Sequence, residues 1–102
     1  MKIGDRTIEL DQDGFMRKPG LWDDDVAKAI AGDEGIDEMS EQHWSVVRFI
    51  RRYWEENDST PAVRLLCKES GVSVRQVYKL FTSGPARGAC RIAGLPKPDG
   101  CV

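Results

Sequence analysis

Two cysteines bracket the C-terminal segment of this chain, CRIAGLPKPDGCV. Cys90 opens the segment, and Cys101 is followed only by Val102. A thiol this close to a chain end is expected to be accessible, and its thiolate form is a nucleophile that can accept sulfur as a persulfide. Cys90 is placed to attack that sulfur if the segment folds back. The residue types and their spacing are therefore typical of a redox-active thiol pair.

The residues between the two cysteines suit a segment that moves. Eight residues follow Gly94, and at about 3.3 Å each an extended arm would reach about 25 Å from the domain. Prolines favour extended backbone, and glycines permit the turn that a disulfide would require. We predict a globular domain at 1–94 and a flexible arm at 95–102. The residues predicted to serve the arm and the approach of anionic sulfur species or an acidic partner are Arg91, Gly94, Pro96, Lys97, Pro98 and Gly100.

Plainer interpretations of the cysteines stay open. The tail could be a frayed terminus with two incidental cysteines, because chain ends are often disordered. No metal site is expected, since zinc ligands usually include close pairs such as C-x-x-C and here the nearest cysteines are eleven positions apart. Cys67 is predicted to be a small buried hydrophobic residue, and His43 a solvated surface residue.

Composition limits the class of protein. The chain has 102 residues, of which 40% are hydrophobic, as expected for one small globular domain. Its formal charge of −2 favours neither nucleic acid nor an anionic membrane. The start, MKIGDRTIEL, is too charged for a signal peptide, and no apolar run approaches about 18 residues. We therefore predict a cytoplasmic protein without direct membrane insertion.

The first half of the chain predicts strands followed by two helices. Residues 2–19 predict two or three short strands in a meander with turns at 4–5 and 13–14. Asp23 is predicted to cap a helix that ends near 32–35. A central helix is predicted from Ser40 to about Asn57, because apolar residues recur at steps of three and four. The predicted core face of that helix contains Trp44, Val46, Val47, Phe49, Ile50, Tyr53 and Trp54.

Two further helices form a helix-turn-helix-like pair. Thr60 is predicted to cap the first, with Pro61 at the first helical position and Gly71 at the end. Ser73 and Gln76 predict a capping box for the second. Polar residues on the second helix could reach DNA, so a DNA-binding regulator is an alternative, although the acidic balance argues against DNA binding. A last short helix is predicted between 85 and 94.

The C-terminal stretch GPARGACRIAGLPKPDGCV closely resembles the signature of the DsrC/TusE family, which includes the gamma subunit of dissimilatory sulfite reductase. The resemblance continues through EQHWSVVRFIRRYWEEN and TPAVRLL and, more weakly, into DQDGF. It implies an α+β fold, with a short N-terminal β-meander packed on about five helices and a mobile C-terminal arm. Asp99 departs from the family pattern, which has Thr there. The chain also lacks a basic insertion that many members carry before the segment matching VYKLF.

The resemblance also implies a function. Family members are sulfur carriers without a cofactor rather than enzymes, and the penultimate cysteine, here Cys101, receives the sulfur. The upstream cysteine, here Cys90, pairs with it in a disulfide or trisulfide. The implied partners are the alpha and beta subunits of dissimilatory sulfite reductase, a membrane-associated iron–sulfur complex that reduces the product, and sulfurtransferases. A sulfur relay for tRNA 2-thiolation is the alternative, but such proteins generally keep only the penultimate cysteine. The free protein is predicted to be a monomer.

Overall fold

The chain begins with a β-hairpin closed by a two-residue turn. The structure, a computed structural model, describes residues 1–96, and of Ala86 only the backbone. Strand β1 (Lys2–Ile3) pairs antiparallel with strand β2 (Arg6–Thr7). Gly4 in the turn has a φ of +57°, a conformation that tight hairpins favour. The first predicted turn is confirmed.

A second turn follows at Asp11 and is closed by a single bridge. The Asp11 carboxylate accepts hydrogen bonds from the backbone N–H groups of Asp13 and Phe15, both at 2.9 Å. An isolated bridge pairs Leu10 with Met16 across this turn. The predicted meander is therefore present as two strands and one bridge.

Helix α1 (Asp24–Asp33) begins after Asp23, as predicted. The Asp23 carboxylate accepts a hydrogen bond from Val26 N–H at 3.0 Å and two from the Arg6 guanidinium at 2.9 and 3.2 Å. The hydrogen bonds from Arg6, and then the one from Val26, lower the pKa of Asp23 below its ordinary value. Asp23 thus joins β2 to the start of α1.

Helix α2 (Glu41–Asn57) matches its predicted extent and is capped by Ser40. The His43 ring accepts from Ser40 N–H at Nδ1, at 3.0 Å, and therefore donates from Nε2 to Leu80 O, also at 3.0 Å. The ring is half-buried with its edge against Phe81. The prediction of a solvated surface residue is wrong, because both ring nitrogens of His43 are hydrogen bonded. Nδ1 caps the start of α2 through Ser40, and Nε2 joins α2 to Leu80.

The buried face of α2 differs from its prediction in the aromatic residues. Val46, Val47 and Ile50 are buried, as predicted. The aromatic residues of that face are only half-buried: Trp44, Phe49, Tyr53 and Trp54. Three of these rings pack on guanidinium groups: Trp44 on Arg48, Trp54 on Arg51 and Phe49 on Arg52.

Helix α3 (Val63–Ser70) begins later than predicted. Thr60 and Pro61, the predicted cap and first residue, both precede it. Ala62 is the cap residue, with an extended ψ of 149°, and the first helical hydrogen bond runs from Leu66 N–H to Ala62 O. The extended backbone at Ala62 carries Thr60 away from the first unpaired N–H groups, which explains why its hydroxyl does not cap the helix.

Helix α4 (Val74–Leu80) follows α3 after a short turn. Gly71 ends α3 with a φ of +74°, as predicted. The Ser73 hydroxyl accepts from Gln76 N–H at 3.1 Å, which confirms the predicted cap. The predicted reciprocal bond is not formed, because the Gln76 amide donates to Gln42 Oε1 at 3.0 Å instead.

The C-terminal helical segment, residues 85–92, opens with a π-helical turn. This turn, Pro85–Ala89, runs directly into a short helix α5 (Cys90–Ile92). The segment packs against α1 and α2 and ends before Gly94, whose φ is +75°. The prediction of a short last helix is confirmed.

One hydrophobic core joins these elements. Its largest buried side chains come from the N-terminal turns, the five helices and the C-terminal segment: Ile8, Met16, Ile30, Ile50, Leu66, Val77, Phe81, Ile92 and Leu95. Leu95 is 0% exposed, so the domain extends at least one residue beyond the predicted boundary at 94. Among residues 1–96, no helix is long and apolar enough to cross a membrane. The α+β fold is as predicted.

Candidate functional site

Of the two predicted site thiols, Cys90 lies within the residues that the structure describes. It is the first residue of α5 and is 6% exposed, where the π-helical turn meets the α-helical one. Cys67, predicted to be buried, is only half-buried on α3 and packs against the edge of the core. The remaining predicted site residues beyond Pro96 lie outside the described residues: Lys97, Pro98, Gly100 and Cys101.

The chain turns back beside Cys90 as soon as α5 ends. Gly94 supplies the left-handed turn, and Leu95 N–H then donates to Cys90 O at 3.2 Å. The Leu95 side chain is fully buried, whereas Pro96 is half-buried. We call residues 93–95 the arm root. The described chain therefore leaves the domain next to the Cys90 backbone.

Arg51 holds the arm root through backbone carbonyls. Its Nη1 donates to Ala93 O and Gly94 O, both at 3.3 Å. Its Nη2 donates to Pro19 O at 2.9 Å, and its Nε donates to the Glu55 carboxylate at 3.0 Å. Hydrogen bonds from a charged group contribute about 1.5–3 kcal/mol each, and Arg51 is only 8% exposed. The buried cation is therefore tied to the arm root, to residue 19 and to α2 itself.

Trp22 completes this contact. Its Nε1 donates to Ile92 O at 2.8 Å, and its ring centroid lies 4.9 Å from Cζ of Arg51. The Trp54 ring lies 5.1 Å from the same carbon. Three successive carbonyls at the end of α5, those of residues 92–94, thus accept hydrogen bonds from two side chains. We call Arg51 and Trp22 the root clamp.

Arg91 is engaged within the fold. Its Nε donates to Gly14 O at 2.8 Å, and its Nη2 pairs with Asp33 at 3.0 Å. Its Nη1 pairs with Glu34, whose carboxylate also accepts from the Ser83 hydroxyl at 2.7 Å. The Arg91 side chain is 11% exposed. The sequence predicted that this guanidinium would attract anionic species, but the structure uses it to attach α5 to α1 and to the Asp11 turn.

Sequence reasoning missed Arg51 as a site residue. It lies four positions after Val47 and three before Trp54, on the same helical face. A charged residue within an apolar stripe was the available signal, because a buried cation requires fixed partners. Apart from Glu55, its hydrogen-bond partners among residues 1–96 are backbone carbonyls from distant parts of the chain, which no side-chain pattern indicates.

An open groove of about 470 Å³ borders the outer side of the root clamp. The residues that line it come mainly from α2 and include Trp22, Ser45, Arg48, Phe49, Arg51 and Arg52. One side of the clamp is therefore next to solvent. Residues 1–96 contain no group of three or more His, Cys, Asp or Glu side chains that could hold a metal ion.

The fold and the cysteine-bearing C-terminal segment define the family of this chain. The family model for DsrC like proteins matches residues 2–102, so the chain belongs to the DsrC-like family. The predicted resemblance is thereby confirmed, over both cysteines and the helical domain.

Individual relatives agree with this assignment. The chain is 40% identical over 97 residues to the dissimilatory-type sulfite reductase gamma subunit of Nitratidesulfovibrio vulgaris, covering 95% of this chain and 92% of that protein. It is 43% identical over 105 residues to the sulfurtransferase TusE of Salmonella typhimurium, covering 95% and 94%. The crystal structure of the oxidized gamma subunit (DsrC) from Archaeoglobus fulgidus superposes with a TM-score of 0.90 at 40% identity, covering 100% of this chain and 98% of that one.

Proposed function

We propose that this chain is a sulfur carrier in which Cys101 accepts sulfur and Cys90 resolves it. The observation that carries the proposal is the position of Cys90 beside the arm root, in a chain whose family match runs to residue 102. The relatives named above are a sulfite reductase subunit and a sulfurtransferase, and neither supports the DNA-binding alternative. The chain works as a co-substrate for partner enzymes and not as a catalyst on its own.

The exit point of the chain supports pairing of the two thiols. Leu95 is hydrogen bonded to Cys90, and Cys101 follows six residues later. Six residues span at most about 20 Å, whereas a disulfide requires Cα atoms within about 7 Å. The arm that we propose, residues 96–102, is thus long enough to extend into a partner and short enough to return to Cys90, whose backbone lies beside its own attachment.

The chemistry proceeds by two thiolate attacks. The Cys101 thiolate attacks the outer sulfur of a donor persulfide, forming a new S–S bond while the donor thiolate leaves. The Cys90 thiolate then attacks Sγ of Cys101, the disulfide forms, and the outer sulfur leaves as hydrosulfide after taking two electrons from the pair. If the incoming sulfur is two electrons more oxidised than the outer sulfur of a persulfide, as in partly reduced sulfite, a trisulfide forms instead. The two thiols supply those two electrons, and the sulfur stays bound as a bridge between Cys90 and Cys101.

Dissimilatory sulfite reductase is the partner that we favour over a tRNA-thiolation relay. Cys90 is useful only where a second thiol resolves the product. The alignments also differ: for the same 95% of this chain, the TusE alignment spans 105 positions and the gamma-subunit alignment spans 97. TusE therefore has several positions for which this chain has no residue. Reduction of the product by a membrane-associated iron–sulfur complex, and a cytoplasmic location, complete the proposal.

Intact-protein mass spectrometry after incubation with a persulfide donor tests the proposal. The chain should first gain about 32 Da, one sulfur atom, at Cys101, and then lose that sulfur as hydrosulfide when the Cys90–Cys101 disulfide forms. Cys101→Ala should gain nothing at that site, Cys90→Ala should keep the added sulfur without forming a ring, and Cys67→Ala serves as the control and should behave as the unaltered chain does. Uptake by Cys101→Ala equal to that of the control would refute the proposal. Full support of tRNA thiolation by Cys90→Ala, without coupling to sulfite reductase, would favour the relay.

A further inference from the structure

We propose that the root clamp, Arg51 with Trp22, is a positioning device that sets the effective concentration of Cys101 at Cys90. The inference rests on the proposed function, since it concerns the ring that those two cysteines form. It adds a role for two side chains that carry no sulfur. Both belong to parts of the chain far from the C-terminal segment, on α2 and just before α1.

Each peptide unit of the arm root is held from within the domain. The carbonyls of residues 92–94 accept hydrogen bonds from Arg51 or Trp22, at distances between 2.8 and 3.3 Å. Leu95 contributes its N–H to Cys90 O and its side chain to the core. These contacts fix the backbone up to Leu95 independently of the ring, so ring closure requires ordering only of the residues that follow it.

The hydrogen bonds to these carbonyls explain why position 51 is an arginine. A buried cation loses hydration, and an apolar side chain of similar size would avoid that cost. Among residues 1–96, the one carboxylate that Arg51 contacts is that of Glu55, whose side chain is 55% exposed. The planar guanidinium, however, spans Pro19 O on one side and the arm root on the other. A lysine ammonium would keep the charge but could not hold both sets of carbonyls.

The consequence for ring closure follows from chain entropy. Without the clamp, the residues of the arm root gain conformational freedom that closure must remove again. We expect the effective concentration of Cys101 at Cys90 to fall about tenfold, which corresponds to about 1.4 kcal/mol or to a rise of about 30 mV in the reduction potential of the disulfide.

The test uses the full chain carrying Cys67→Ala, so that no third thiol exchanges. The fraction of Cys90–Cys101 disulfide is measured against the ratio of reduced to oxidised glutathione, with the melting temperature recorded in parallel. Arg51→Lys is compared with Arg48→Lys. Arg48 lies on the same helix with its Cζ 4.7 Å from an indole centroid, but its ion pair is with Asp24 and not with the arm root.

A second matched pair covers the case in which Arg51→Lys does not fold. Trp22→Phe removes the indole N–H that bonds Ile92 O, whereas Trp44→Phe removes an indole that stacks on Arg48. Arg51→Lys and Trp22→Phe should each lower the effective concentration about tenfold. The Arg48 and Trp44 controls should stay within about twofold.

The outcomes separate three cases. A lower melting temperature with an unchanged glutathione equilibrium in both clamp variants would show a purely structural role and overturn the inference. A change of equal size in the clamp and control variants would overturn it as well. If the unaltered arm of the Cys67→Ala protein forms no Cys90–Cys101 disulfide at any glutathione ratio, the proposed function fails and the inference fails with it.

Discussion

Replacement of Gly94 by alanine tests whether the arm root is packed as tightly as the structure indicates. An alanine Cβ at this position would lie 2.8 Å from Cβ of Trp22 and 2.5 Å from its Cγ. Because Cβ of Trp22 is attached to its own backbone, a rotamer change cannot relieve the contact. The start of α1 or the arm root must move, and the indole hydrogen bond to Ile92 O would be weakened.

The magnitude follows from a comparison with Gly71. The two glycines have nearly the same φ, +75° and +74°, but nothing lies within 4 Å of a Cβ added at Gly71. Left-handed backbone costs a non-glycine residue about 1–2 kcal/mol, which both substitutions share. Overpacking adds about 1–3 kcal/mol at Gly94 alone. We therefore expect losses of unfolding free energy of about 1–2 kcal/mol for Gly71→Ala and about 2–5 kcal/mol for Gly94→Ala.

Urea unfolding of the two variants and the unaltered chain measures this difference. With a slope of about 1–3 kcal/mol/M, the unfolding midpoint of Gly94→Ala should lie clearly below that of Gly71→Ala. The melting temperature should be lower by at least about 4 °C for the additional contact. Equal losses for the two alanine variants would mean that the Gly94 environment is not close-packed, and the account of the root clamp would then be incorrect.

Two further predictions concern the ends of the domain. Leu95→Ala should lower the free energy of unfolding, measured with urea, by about 2–5 kcal/mol because it leaves a core cavity. The control Leu21→Ala, at a side chain with 48% exposure, should change that free energy by no more than about 0.5 kcal/mol. Equal losses for the two variants would contradict the inclusion of Leu95 in the core. Asp23→Asn should lower the melting temperature at pH 7, because Arg6 holds the pKa of Asp23 below 3.8 in the folded state. That difference should shrink as the pH falls below 3.8 and vanish once the folded-state carboxylate is protonated, and a difference that persists in acid would exclude the ion pair as its cause.

Local signals in the sequence predicted most of the fold. Asp23 and Ser73 each cap a helix at the predicted position, because a side-chain acceptor beside unpaired N–H groups acts within one turn. Gly71 and Gly94 end helices for an equally local reason, their left-handed backbone. The cysteine pair and its family signature were likewise visible as a continuous stretch of sequence.

Features that depend on distant contacts could not be predicted in this way. Arg51 is buried because carbonyls from residues 19, 93 and 94 converge on it, and backbone acceptors leave no trace in a sequence pattern. Arg91 was assigned to anion attraction because its neighbours in sequence suggested the arm, but Glu34 and Asp33 approach it from α1. Leu95 was assigned to the arm for the same reason, since its burial depends on the turn at Gly94.

In the proposed carrier cycle, the fixed root and the proposed arm, residues 96–102, act together. Reach into a partner depends on the number of residues beyond Leu95, and seven of them extend to about 23 Å. Return to Cys90 depends on where those residues begin, and the chain leaves the arm root next to the Cys90 backbone. Ordering the root shortens the free chain by the residues that it fixes, at about 3.3 Å of reach each, and in return removes their conformational freedom from ring closure. Arg51 and Trp22 therefore set the point from which the proposed arm both extends and returns.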